Sequence, residues 1–112
     1  VLRVPREGLT EGEPRAVQIG GSPDNLFWSP RGALLVATHT GSGTFLLCSL
    51  GRSPCRSSWS VFEIDPATLA AKPVIEHDGE VVGAIASAAE AEGLWFFGSV
   101  YDDRIGVWRG GA

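Results

Sequence analysis

Few residues of this sequence have the types and spacing for chemistry, and most of them also have a plain structural reading. Cys48 and Cys55 stand seven positions apart in Cys-Ser-Leu-Gly-Arg-Ser-Pro-Cys. They close a small disulfide loop in an oxidising compartment or stay as free thiols in a reducing one, and without histidines at ligand spacing they make no zinc site. His77-Asp78 has the composition of an acid/base couple, yet Asp78-Gly79 is better explained as a hairpin turn. Tyr101-Asp102-Asp103-Arg104 offers two carboxylates to a metal, or a turn with a surface ion pair. Pro23-Asp24-Asn25 reads on its own as a turn whose Asx side chains bond their own backbone. His39, in Ala37-Thr38-His39-Thr40-Gly41, has no partner beside it in the sequence and is by itself a weak signal. There is no phosphate loop, nucleophile elbow or Cys/His constellation.

These residues must be positioned by short strands. Glycine (15) and proline (7) make up about a fifth of the 112 residues, against an ordinary usage of roughly 12%, so turns are frequent. Between them, short apolar or alternating runs predict strands at residues 2–4, 16–19, 25–29, 34–38, 45–48, 60–64, 72–76, 83–88, 94–99 and 104–108. Residues 84–92, Ala-Ile-Ala-Ser-Ala-Ala-Glu-Ala-Glu, are helical by local propensity alone, which leaves a helix packed on a sheet as the alternative there. A repeat argues for the strand. A run ending in Gly93 precedes the aromatic segment 94–99 as residues 25–31 end in Gly32 before 34–38, and Trp59 and Trp108 accompany the next strand in each unit. Two imperfect copies of one supersecondary unit, the first with a long insertion around residues 41–58, suggest propeller blades.

Composition limits the function classes. The length suits one domain at most, and 44% hydrophobic with 20% charged residues can bury a core. Nine basic residues against thirteen acidic ones give a net charge of −4, a surface that repels a polyanion, so no nucleic-acid partner is expected. The longest wholly apolar runs, such as residues 33–37 and 94–97, fall far short of the roughly 20 residues needed to cross a bilayer, so no membrane span is expected. The sequence starts at Val1 without a methionine and is expected to be a trimmed product or a piece of a longer chain.

Five segments in order resemble a known group. Ser22-Pro23-Asp24-Asn25-Leu26, Pro30-Arg31-Gly32-Ala33-Leu34-Leu35-Val36-Ala37, Val61-Phe62-Glu63-Ile64-Asp65-Pro66-Ala67-Thr68, Asp78-Gly79-Glu80 and Gly93-Leu94-Trp95-Phe96-Phe97-Gly98-Ser99-Val100 are similar to the C-terminal part of calcium-dependent six-bladed propellers. These are the senescence-marker-protein/gluconolactonase, paraoxonase/arylesterase and strictosidine-synthase-like families. The resemblance runs from about Val1 to Trp108, and its order and spacing carry it, since no single motif is diagnostic. It implies an all-β fold of about two blades, each a four-stranded antiparallel meander. The end of a preceding blade would occupy about residues 1–21, one blade residues 22–79 with its inserted loop at 41–58, and the start of the next residues 80–112.

The same resemblance assigns roles. Asp24 and Asn25 would start an inner strand, face a central tunnel and give oxygen ligands to Ca2+, a cation that takes 6–8 of them, the others coming from absent blades. His39 would lie near the tunnel mouth, as the catalytic candidate, to orient substrate or accept a proton. The histidine pair credited with lactone hydrolysis in the paraoxonase-like branch would lie outside this chain. The glutamate acid/base expected of the strictosidine-synthase branch is missing from residues 83–88, with Glu80 and Glu90 out of place, so a Pictet–Spengler synthase is disfavoured. The expected function is therefore the C-terminal fragment of a calcium-dependent lactonase- or esterase-like hydrolase, inactive alone, with a small lactone or ester as substrate. The alternative is a non-catalytic module without metal that associates through its open edges. Two blades leave faces and edges uncovered, so either a homo-oligomer, with three copies completing six blades, or the remainder of a longer chain is expected to cover them. A disulfide would favour a periplasmic or secreted location, and free thiols the cytoplasm.

Overall fold

The computed structural model describes residues 2–3, 14–51 and 55–110. Among these residues the fold is all-β apart from one short helix. β1 (Leu2–Arg3) and β2 (Arg15–Ala16) form a two-stranded antiparallel ladder. β3 (Ser22–Trp28), β4 (Leu34–His39), β5 (Trp59–Ile64) and β6 (Ala71–His77) form an antiparallel meander in chain order, and β7 (Ile85–Ala91), β8 (Leu94–Ser99) and β9 (Gly106–Arg109) form a second one. Helix α1 (Ser42–Ser49) stands between β4 and β5.

The sheets pack through one apolar layer. Leu35 and Ala37 of β4, Trp59 and Val61 of β5, Ile85 and Ala88 of β7, and Trp95 and Phe97 of β8 are buried together with Val82. In β4, β5 and β8 they alternate, directing one face inward as a pleat of period two requires, while in β7 Ile85 and Ala88 are three positions apart across a register shift between Ile85 and Ser87. Burial at about 25 cal/mol per Å² of apolar surface makes this layer the main stabilising term. The buried indole of Trp59 also donates from Nε1 to the carbonyl of Val82 at 2.7 Å, so its one polar group is satisfied. β4 is buried on both faces, Val36 and Thr38 included, and its Leu-Leu-Val-Ala-Thr run shows the continuous apolarity such a strand needs.

Residues 85–91 are a strand despite their alanines. Pairing with β8 from Ile85↔Ser99 to Ala91↔Leu94 outweighs a helix propensity of a few tenths of a kcal/mol per residue. The two-residue loop that follows has both members left-handed, Glu92 at φ 53° and Gly93 at φ 77°, as a type I′ hairpin turn requires.

Two expectations are corrected. Residues 45–48, expected as a strand, belong to α1, because an apolar run of that length does not distinguish a strand from a buried helical turn. The helix stops at Gly51, whose φ of 84° takes the left-handed turn while its N–H donates to the Cys48 carbonyl at 3.0 Å. Asp78-Gly79 does not close a hairpin: β6 and β7 belong to different sheets, and the segment is the link between them. Strand ends also shift by one to three residues. β3 starts at Ser22, β7 at Ile85 and β9 at Gly106, while only Ala16 of the run expected at 16–19 is in a strand. Val4 lies outside the described residues.

Candidate functional site

Asp24 and Asn25 sit on an irregularity of the sheet. Between the pairs Pro23↔Thr38 and Leu26↔Val36 the two of them face the single residue Ala37, a β-bulge near the start of β3. Bulges re-aim side chains, and this one sends the two neighbours to different partners. Asn25 donates from Nδ2 to the Ala86 carbonyl at 3.0 Å, at the point where β7 has its own register shift between Ile85 and Ser87. Asp24 Oδ2 lies 3.0 Å from His39 Nε2. The structure thus brings Asp24 and His39 together on two adjacent strands, while Asn25 turns to β7.

His39 ends β4, opposite Ser22 on one side and Trp59 on the other, and its ring is buried at 8% exposure. Phe45 of α1 covers it, ring centroids 4.3 Å apart, and Tyr101 stacks edge-on against Phe45 at 5.3 Å. Phe45 in turn packs against Ala84 and the Cys48–Cys55 disulfide, which the structure forms across a sequence separation of 7. Nδ1 of His39 is buried without a hydrogen-bond partner. With the Asp24 carboxylate as acceptor, Nε2–H of His39 donates to it. In this arrangement His39 holds one carboxylate oxygen of Asp24 and presents no nitrogen to solvent.

The remaining oxygens, Oδ1 of Asp24 and the amide oxygen of Asn25, accept no hydrogen bond among the described residues. Carboxylate and amide oxygens are the donor types calcium takes. They are too few by themselves. Among the described residues no group of three or more His, Cys, Asp or Glu side chains is placed to hold a metal ion.

The other sequence candidates have structural work. His77 Nδ1 accepts the Gly79 N–H at 3.0 Å, and its ring stacks on Trp59 at 5.2 Å. That nitrogen is therefore unprotonated, so its 3.4 Å approach to Asp78 is no ion pair. The Asp102 side chain is buried and accepts the Gly83 N–H at 3.2 Å, while Arg104 Nε lies 3.4 Å from Asp102 and 3.2 Å from Asp103. This is a turn held by ion pairs.

No sequence motif announced the cluster at the other end of the sheets. Arg31, in the β3–β4 loop, meets Glu90 of β7 at 2.7 Å and Glu63 of β5 at 3.0 Å, and so ties the two sheets together. Its pKa is raised further above the ordinary arginine value, first by the hydrogen bond to Glu90 and then by that to Glu63, with burial opposing. The partners are 59 and 32 positions away in the chain, and only the packed fold makes them neighbours.

No protein-family model matches the chain, and no curated protein or solved structure matches it significantly. Among the described residues no helix is long and apolar enough to cross a membrane.

Proposed function

We propose that the chain is the C-terminal, two-blade part of a six-bladed propeller hydrolase of lactones or esters. β3 and β7 would be the innermost strands of adjacent blades. One observation carries the reading: at the junction of these two strands a bulge leaves Asp24 Oδ1 and the Asn25 amide oxygen unengaged, while His39 fixes the other carboxylate oxygen of Asp24. Asp24 and Asn25 would supply two oxygens to a calcium ion whose shell other blades complete. When bound there, calcium polarises the ester carbonyl as a Lewis acid.

The chain's own residues orient rather than attack. His39 is a positioning residue that acts through Asp24, and the Phe45 ring keeps water from the imidazole. Asn25 locks β3 to β7 and so sets the distance between the two inner strands. The disulfide supports folding in an oxidising compartment, periplasmic or secreted.

Leu26, Phe27 and Trp28 of β3 are each about half exposed, and they favour a second reading, a non-catalytic module that associates through this edge. Terbium luminescence and calcium titration calorimetry on the 112-residue chain separate the two. The hydrolase reading expects weak binding, with Kd on the order of 1 mM, lost in Asp24→Ala, and no turnover of phenyl acetate or a γ-lactone by the chain alone. Equal cation binding by wild type and Asp24→Ala would leave the second reading standing.

A further inference from the structure

Residues 55–58, which run from the disulfide to β5, lie against residues 78–84, the link between the two sheets. The Ala84 N–H donates to the Ser57 carbonyl at 3.0 Å. A Cβ at Gly83 would overlap the Cys55 carbonyl, and one at Gly79 would stand 2.7 Å from the Ser57 carbonyl oxygen, so the two backbones meet where only glycine fits. Ala84 itself is fully buried at φ 51°, a left-handed angle that strains a residue with a Cβ. Such strain persists only where the surroundings hold it. Here they are Ser57, the buried pair Cys48 and Cys55, and the Val100 N–H, which donates to the Ala84 carbonyl at 3.0 Å.

The near side of this contact depends on the bond. α1 has 8 residues, fewer than the roughly 12 at which an isolated helix becomes even marginal in water. It has no side-chain N-cap, no acidic residue in its first turn and no basic one in its last. Leu46 and Leu47 on it and Leu50 at its end are exposed, and among its described side chains only Phe45 and Cys48 turn inward. Cys48 is joined to Cys55, so one covalent bond fastens both the helix and the start of segment 55–58. The far side leads into β7, where the Ala86 carbonyl, two residues beyond Ala84, receives Asn25.

We propose that the Cys48–Cys55 bond is a redox latch on the junction between the two sheets, opened by a dithiol reductant. One thiolate of the reductant forms a mixed disulfide with one cysteine sulfur and expels the other as a thiolate, and its second thiol then expels the first. Two electrons and the two protons of the dithiol end on Cys48 and Cys55 as thiols, and the reductant ends as a disulfide. Both cysteines are buried, so exchange proceeds through local opening of α1. With the bond broken, segment 55–58 releases Ala84 and the start of β7 loosens against β3. The apolar layer of Trp59, Val61, Trp95 and Phe97 keeps both sheets folded meanwhile.

The 112-residue chain in native buffer, with and without dithiothreitol, provides the test. Alkylation by iodoacetamide is read by mass, and amide exchange residue by residue. Expected are alkylation of both cysteines, exchange at the Ala84 N–H at least about tenfold faster, unchanged protection in β5 and β8, and full reversal on reoxidation. Cys48→Ser with Cys55→Ser should show the same faster exchange at Ala84 without reductant. A bond that dithiothreitol does not open in native buffer overturns the proposal. So does a reduced chain with unchanged exchange at Ala84. Loss of protection in β5 and β8 together with Ala84 overturns it as well, since the bond is then a staple of the whole fold. None of these readouts involves calcium, so the latch and the site at Asp24 fail separately.

Discussion

At the same place in the two sheets, the last residue of the second strand, stand His39 and Ser99. The histidine reaches across to a side chain, the carboxylate of Asp24. The serine works on backbone: its hydroxyl donates to the Gly83 carbonyl at 2.6 Å and accepts the N–H groups of Tyr101 and Asp102 at 3.3 and 2.9 Å. The first strands of the two sheets differ in the same sense. β3 reads Ser-Pro-Asp-Asn-Leu-Phe-Trp and is exposed throughout, while β7 reads Ile-Ala-Ser-Ala-Ala-Glu-Ala and lies across β3, β4 and β5 with small side chains that allow close approach. One meander thus carries the His39–Asp24 pair, and the other packs across it.

The comparison presumes that the two sheets stand or fall together, which Trp59→Ala tests most severely. Removing this indole from the layer between them is expected to cost about 3–5 kcal/mol, read as the shift in a urea unfolding curve. Loss of the first sheet alone, with β7–β9 amides still protected, would show two independent units and break the comparison.

Next in size is the disulfide, which belongs to the first meander's insertion and has no counterpart in the second. Cys48→Ser with Cys55→Ser opens a loop whose closure entropy corresponds to about 2.5 kcal/mol. Because α1 has no side-chain N-cap and no charged residue opposing its dipole, Phe45 should then leave His39. Faster carbethoxylation of His39, at an unchanged rate for His77, is the expected signature; unchanged rates for both would mean that Phe45 stays without the bond.

The strand-end residues themselves sharpen the contrast. Ser99→Ala leaves the Tyr101 and Asp102 N–H groups without their acceptor and should lower stability by about 1–2 kcal/mol without altering terbium binding. His39→Gln should keep most of the stability and change terbium binding through Asp24. An equal effect of both substitutions on both readouts would erase the distinction between a chemical and a structural position.

The smallest effect concerns the hairpin turns. Glu92 holds a left-handed conformation without the local hydrogen bonds that suit asparagine, so Glu92→Asn, which makes the favoured Asn-Gly pair, should stabilise by about 0.5 kcal/mol. The corresponding β3–β4 loop is longer and is held by Ser29, whose hydroxyl accepts the Arg31 and Ala33 N–H groups at 3.2 and 3.1 Å. Only that longer loop delivers Arg31 to Glu63 and Glu90.

Much of the architecture was legible in the order of residues. The alternation and turn residues placed β4, β5, β6 and β8 within a residue or two, and the repeat around Gly32 and Gly93 picked a strand at residues 83–88, against local propensity, where β7 runs from Ile85 to Ala91. Those signals are local, carried by side-chain period and by backbone angles that few residues tolerate. The same local reading failed at residues 45–48, where four apolar residues fit either structure and the Cys48–Cys55 bond starts from the last turn of a helix.

The sequence by itself therefore determined most of the strands and several of their turns, because each depends on residues within a few positions of one another, whereas Pro23-Asp24-Asn25, which reads on its own as a turn, lies within β3 at its bulge. Only the tertiary structure decided that His39 bonds Asp24, that Asn25 reaches Ala86, that Phe45 covers the imidazole and that Arg31 joins the sheets. Such contacts join residues from 6 positions apart for His39 and Phe45 to 61 for Asn25 and Ala86. What brings them together is the burial of Trp59, Ile85, Trp95 and Phe97 in one layer, a force that is proportional to area and carries no sequence address.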